Sequence, residues 1–190
     1  MKQKKIKEEI FIVLKKTETH QRELARILKT SQTAVRRALI DLQKENIVDS
    51  KIVGKSKIYF IKKTLEADIF EAIVEYYKLF KNLEKPLIRK IYKEVKDKIL
   101  NKKINFNTII VLFGSYAKGT ERENSDIDIY INSNSKKEKK EIQEIYSLIH
   151  LHLGHFDKEN LLFEEIKKDH IILNNVEGWL NLVGKNEKTY

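Results

Sequence analysis

The reading of this chain turns on Ile109-Ile110-Val111-Leu112-Phe113-Gly114-Ser115-Tyr116-Ala117-Lys118-Gly119-Thr120-Glu121-Arg122-Glu123-Asn124-Ser125-Asp126-Ile127-Asp128-Ile129. The first five residues form a short, β-branched-rich run ending at Gly114-Ser115, the pattern of a buried strand entering a tight turn. The turn leads into a helix. Small residues there let backbone N–H groups face outward, where unpaired donors and the macrodipole favour an anion such as a phosphate; the Ser115 hydroxyl adds a donor. Ten residues separate Ser115 from Asp126, after which Asp126 and Asp128 alternate with Ile127 and Ile129. In a strand, a period of two puts both carboxylates on one face. Adjacent carboxylates repel unless a cation lies between them, and oxygen-only ligation suits Mg²⁺ bridging to substrate phosphates. Gly-Ser alone fits an ordinary turn and Asp-x-Asp alone a solvated strand edge. Together, at this spacing and between two apolar runs, they point to a catalytic nucleotide site.

The pattern apolar-Gly-Ser, ten residues, Asp-apolar-Asp-apolar resembles the signature of the DNA polymerase beta-type nucleotidyltransferase superfamily. Gly114 to Thr120 with Asn124-Ser125-Asp126-Ile127-Asp128 resembles its small prokaryotic members, the antitoxin-like minimal nucleotidyltransferases. The resemblance covers roughly the C-terminal half of the chain. It implies that Gly114 and Ser115 hold the nucleotide phosphates and that Asp126 and Asp128 bind two Mg²⁺ ions, with an NTP, ATP first among them, as donor. Lys118 stands where many relatives have Arg and would touch phosphate; otherwise it is a solvated lysine on a helix face. Ser125 also matches, and its plain reading is a turn residue. The family places a third carboxylate on a later strand, but the next candidate strand, Leu148 to Phe156, contains no acid. By rough register His152 takes that place, where it would ligate a metal, accept a proton near neutral pH or simply pack. The nearest following acid, Asp157, reads as the N-cap of the next helix.

Outward from this stretch, composition sets the frame. At 190 residues the chain is long enough for two small domains, and the motif lies too far along for one compact nucleotidyltransferase. It has no cysteine, no apolar run of membrane-spanning length and no signal-peptide core in its Lys-rich start, so a cytoplasmic protein is expected, without membrane partners. Residues 1–62 carry 16 Lys+Arg against 7 Asp+Glu, whereas residues 63–190 carry 22 against 21. Nearly all of the +10 net charge therefore lies in the N-terminal third, the footprint expected of a nucleic-acid-binding module.

That third reads as three helices and a hairpin. Lys4 to Lys16 is amphipathic, with Ile6, Ile10, Val13 and Leu14 at helical spacing. Thr19 or a neighbour caps a second helix, Gln21 to Leu28, and Ser31 caps a third, Gln32 to about Glu45, whose Val35, Leu39 and Leu42 face inward. Its opposite face carries Gln32, Thr33, Arg36, Arg37 and Ile40. Ile47 to Val53 and Lys57 to Ile61 read as strands joined near Gly54-Lys55. Leu24 to Leu39 resembles the helix-turn-recognition-helix segment of winged helix-turn-helix domains. That family implies that the third helix enters a DNA major groove, with Thr33, Arg36 and Arg37 on bases or phosphates and Lys51, Lys55 and Lys57 on phosphate. A protein-docking winged helix with a merely solvated lysine face is the competing reading.

The fold class expected is α+β: a winged helix-turn-helix at residues 1–63, a connector helix at 64–84, and at 85–190 a polymerase beta-like nucleotidyltransferase with a small mixed sheet flanked by helices. The connector's Leu65, Ile69, Ile73, Tyr76, Tyr77 and Phe80 suggest packing on a domain or on a second copy of the chain, a homodimer. Pro86 suits the first turn of a helix to about Asn101. Lys136-Lys137-Glu138-Lys139-Lys140 starts a helix to about Ser147 with a solvated face, Asp157 to Lys168 is another helix, and Ile171 to Tyr190 reads as a small closure around Trp179. Two functions follow. One is Mg²⁺-dependent transfer of an NMP, AMP in the leading version, from an NTP to an acceptor hydroxyl, such as a tyrosine of a HEPN-type partner toxin (antitoxin-type AMPylation). The other is a regulator that binds double-stranded DNA and whose catalytically degenerate nucleotidyltransferase domain senses nucleotide.

Overall fold

The computed structural model describes residues 5–154 and 161–184. The chain forms two compact units, Met1–Tyr77 and Lys78–Tyr190, with the boundary inside a helix. Both mix helices with a small sheet, an α+β architecture.

The first unit runs α1 (Ile6–Lys16), β1 (Thr19–His20), α2 (Gln21–Ile27), α3 (Gln32–Lys44), β2 (Val48–Val53), β3 (Ser56–Ile61) and the start of α4 (Leu65–Asn82). Local chemistry sets the helix starts. Ser31 Oγ accepts the Ala34 N–H at 3.1 Å, and His20 Nδ1 accepts the Glu23 N–H at 3.1 Å, so α3 and α2 each begin on a side-chain cap. Strands β2 and β3 pair antiparallel with Val53 opposite Ser56, leaving Gly54-Lys55 as a two-residue loop. Thr19 and His20 add a third strand against Tyr59 and Ile58, too short to show as a periodic pattern. The core joins Ile10, Phe11 and Leu14 of α1, Leu24 of α2, Val35, Leu39 and Leu42 of α3, and Phe70 and Val74 of α4. For α4 the sequence allows packing on a domain or on a second copy of the chain. Its packed stripe within this unit is Ala67, Phe70 and Val74, while Leu65, Ile69, Ile73 and Tyr76 are exposed. The Phe70 ring meets Phe11 of α1 edge-on at 5.3 Å between centroids.

The second unit holds α5 (Pro86–Leu100), β4 (Ile110–Leu112), α6 (Gly114–Lys118), β5 (Ile127–Ile131), α7 (Lys136–Gln143), β6 (Ile149–Leu153), α8 (Leu161–Lys168), β7 (Ile171–Asn174) and α9 (Val176–Gly184). The strand order is β6-β5-β4-β7. β4 lies antiparallel to both neighbours, and β5 and β6 are parallel, with α7 in the crossover a parallel pair requires. Alternation divides the sheet. Ile110, Leu112, Ile127, Ile129, Ile131, Ile171 and Leu173 join Ile88, Ile91 and Val95 of α5 and Ile142 of α7 in one core cluster. The opposite face then carries Val111, Phe113, Asp128, Tyr130 and Ile172.

Three expectations are corrected here. Ile171–Asn174 is a strand on β4 rather than part of a closing segment; four consecutive buried apolar or amide residues have no period by which to recognise them. α7 stops at Gln143, short of Ser147. Glu138, in the supposedly solvated Lys136–Lys140 cluster, is buried: its carboxylate accepts the Asn105 N–H at 2.7 Å and the Thr108 hydroxyl at 3.1 Å, fastening the segment that leads into β4. Asp157 lies outside the described residues.

Removing the Glu138 carboxylate strands a backbone donor and a buried hydroxyl, a loss of ~1–3 kcal/mol. Glu138→Ala is expected to lower the second unit's unfolding free energy by that amount. Denaturant unfolding followed by fluorescence of Trp179, the chain's single tryptophan and buried in this unit, measures it.

Candidate functional site

The ends of β4 and β5 meet at Gly114. The Phe113 N–H donates to the Asp128 carbonyl at 3.0 Å, which extends the β4–β5 ladder by one residue and brings the next position, Gly114, beside the Asp128 side chain. The chain turns there with φ +68° into α6. A methyl group on Gly114 would overlap Asp128 Oδ2 and come within 3.2 Å of its Cγ, so only hydrogen fits between backbone and carboxylate. α6 is a five-residue helix closed by Gly119 in the left-handed region, and the Ser115 carbonyl accepts the N–H of Thr120 at 3.0 Å. The Gly-Ser turn and Asp128, the second aspartate of the Asp-x-Asp stretch, are thus neighbours.

Asp128 is a quarter exposed and faces two histidines on the neighbouring strand. In the parallel β5–β6 register Asp128 lies opposite His150 and Tyr130 opposite His152, so both rings rise from the face that carries the carboxylate. His150 Nδ1 stands 3.4 Å and His152 Nε2 3.3 Å from the same oxygen, Asp128 Oδ1. The three ligand atoms lie within 4.8 Å of one another. The Phe113 ring meets His152 edge-on at 4.9 Å between centroids, and the two imidazoles meet edge-on at 4.4 Å. Tyr130, buried, donates its hydroxyl to the Gly154 carbonyl at 2.5 Å and ties down the end of β6; burial raises its pKa and keeps it a donor.

The other expected residues fall around this centre. Asp126 precedes β5, is exposed and stands outside the Asp128–His150–His152 group. Ser125 Oγ accepts the Arg122 N–H at 2.8 Å within the turn. Lys118 pairs with Glu165 of α8 at 2.7 Å, an interaction that raises its pKa. Two residues near the site do not stand out in the sequence. Glu121 accepts from Lys85 at 2.6 Å, which holds its carboxyl below the ordinary range. His150 is the other, although His150-x-His152 has the same period of two as Asp126-x-Asp128 and could have been found by it.

In the first unit Thr33, Arg36 and Arg37 lie on the exposed face of α3, opposite buried Val35, Ala38 and Leu39. Lys55 occupies the hairpin loop and Lys57 is exposed on β3 with its ammonium over the Tyr59 ring. Lys51 pairs with Glu18 at 2.5 Å.

Over residues 88–177 the chain matches the family described as a nucleotidyltransferase domain. That span contains β4, α6, β5 and β6, and therefore every residue of the centre just described. No curated protein matches the chain. A solved structure of Lactococcus lactis ZitR, in a mutant form, is similar at 18% identity and a TM-score of 0.39, covering 54% of this chain and 73% of that one, a likeness too slight to carry an argument. Among the described residues no helix is long and apolar enough to cross a membrane.

The family's usual pair of Mg²⁺ ions calls for oxygen donors in near-octahedral array. The donors gathered at Asp128 are one carboxylate and two imidazoles, so the set at the centre does not fit that ion.

Gly114 and Gly119 provide an internal control for the close approach. Both have positive φ, but a methyl on Gly119 meets nothing nearer than Lys85 Nζ at 4.0 Å. Gly119→Ala is expected to cost ~1–2 kcal/mol in backbone strain alone, and Gly114→Ala at least ~1 kcal/mol more, because Asp128 must move as well. Urea unfolding followed at Trp179 compares them; equal losses would remove the steric constraint.

Proposed function

We propose that the second unit transfers a nucleoside monophosphate from an NTP to an acceptor hydroxyl, and that the first is a winged helix-turn-helix that binds double-stranded DNA. The observation that carries the transfer reading is the lodging of Asp128 against Gly114, within the span that matches the nucleotidyltransferase family. It puts the Gly-Ser turn and a carboxylate side by side, as phosphate and cation binding would need.

In this reading Gly114 and Ser115 hold the β- and γ-phosphates of the donor, ATP being favoured, with Ser125 shaping the adjoining turn. The acceptor oxygen attacks the α-phosphorus, an O–P bond forms, the α–β bridging bond breaks and pyrophosphate departs along the Gly-Ser turn. The acceptor's proton leaves through the exposed Asp126 carboxylate. Asp128 would hold a divalent cation that neutralises the reacting phosphate on the side that β6 closes, and His152, against which Phe113 packs, would take the place that the resemblance gives to a third acid. Lys118 reaches phosphate only by leaving Glu165. A tyrosine of a HEPN-type toxin is the acceptor that the likeness to antitoxin-type enzymes favours.

A second reading has its own support. β6 carries histidines where the resemblance implies a third acid, and Asp126 is not in the group of Asp128, His150 and His152, which favours a nucleotide-sensing regulator without transfer. The basic face of α3 and the hairpin lysines would serve DNA in either case.

Incubating the protein with labelled NTPs and cell lysate, in Mg²⁺ and separately in Mn²⁺, tests transfer. Label is expected to pass to an acceptor and to be abolished by Asp126→Ala with Asp128→Ala; nucleotide binding without label transfer would support the regulator.

For DNA, Arg36→Ala with Arg37→Ala is expected to weaken binding and reduce the salt slope by about 2, one for each phosphate that an arginine no longer neutralises. Electrophoretic titration at several salt concentrations measures it, and an unchanged slope would exclude this face.

A further inference from the structure

We infer that Asp128, His150 and His152 form a site for one divalent transition ion of the Zn²⁺ class rather than for Mg²⁺. The inference deepens the transfer reading by naming the metal at the same centre, and rests on that reading only for the ion's role.

Three observations carry it. The first is donor chemistry: one carboxylate and two imidazoles suit Zn²⁺, Co²⁺ or Fe²⁺, whereas Mg²⁺ takes oxygen. The second is distance. Charge-assisted N–H···O bonds lie near 2.7–2.9 Å, and the two imidazole nitrogens stand 3.4 and 3.3 Å from one oxygen. Those separations lie at the long end for hydrogen bonds. The two edges to Asp128 Oδ1 match those between ligands of a tetrahedral ion with bonds of ~2.0–2.2 Å, about 3.3–3.5 Å, rather than the roughly 2.9–3.0 Å edge of an octahedral Mg²⁺ site, and the third, between the imidazoles, lies within 4.8 Å. The third is construction. The donors come from one face of two neighbouring parallel strands, Asp128 opposite His150 and His152 two residues on, and Phe113 packs on His152 while His150, 64% exposed, is free to close on the ion.

Three protein ligands leave a fourth position open, the arrangement of catalytic rather than structural zinc sites. A phosphate oxygen of the donor nucleotide would fill it on the side where Gly114 and Ser115 lie. Asp126 is not a ligand, which separates this site from the two-carboxylate arrangement.

The test uses the full chain stripped with chelator and then titrated with Co²⁺, followed by visible ligand-field absorption, by Zn²⁺ competition and by metal analysis after gel filtration. One equivalent of Co²⁺ is expected to bind with the intense bands of tetrahedral coordination, to be displaced by Zn²⁺ and to persist in excess Mg²⁺. His150→Ala, at an exposed position that leaves the fold intact, and His152→Ala should each weaken binding at least about tenfold, and Asp126→Ala should leave the spectrum unchanged. Displacement by Mg²⁺ at comparable concentration, octahedral spectra, or equal loss in Asp126→Ala would overturn the assignment. The metal readout is independent of label transfer. Mg²⁺-supported transfer by protein that takes up no Co²⁺ would sink the ion assignment and leave the transfer reading standing, whereas tetrahedral Co²⁺ without transfer would do the reverse.

Discussion

The carboxylate of Asp128 rests against the Cα of Gly114, and much of the second unit is arranged around that close approach. It falls where the chain after β4 takes a left-handed step that only glycine takes cheaply, at the start of α6. It also fixes the side chain of Asp128 from one flank while β6 supplies His150 and His152 on the other. A carboxylate crowded from both flanks has fewer rotamers open to it. The alternation of β5 makes this possible: Ile127, Ile129 and Ile131 anchor the strand in the α5–α7 core, leaving its other face open to polar chemistry.

Polar fastening recurs where the chain enters the sheet. Glu138 holds the approach to β4, and Asn174 donates to the Phe106 and Thr108 carbonyls at 2.9 and 2.8 Å. Both bind backbone groups that no ladder satisfies, so the entry to the central strand is fixed by side chains from α7 and β7. The first unit relies instead on apolar burial of α1, α3 and α4 around the hairpin, leaving the charged row of α3 in solvent.

Several features of the fold are legible in the chain alone. Strand β4, the glycine turn and β5 follow from an apolar run broken by Gly114-Ser115 and resumed with alternating aspartates, and the N-cap Ser31 marks α3 because its hydroxyl answers a local backbone need. The features that do not show are non-local. β1 is two residues long and exists only because β3 pairs with it; β7 has no period because it is buried throughout; the solvent-facing row of α4 is its most apolar one, against the rule that hydrophobicity marks the packed side.

The sequence by itself determined the local order of strand, turn and strand, the placing of Asp126 and Asp128 two residues apart, and the concentration of positive charge in the first third, because each depends on spacing along the chain. Only the tertiary structure decided which groups meet Asp128. That choice belongs to the parallel pairing of β5 with β6, which sets His150 opposite Asp128 and His152 within 3.3 Å of it, while Asp126, its neighbour in sequence, stands outside the group. Register between distant strands comes from burying the isoleucine face of each, and a one-residue slip would carry both histidines to the opposite side of the sheet.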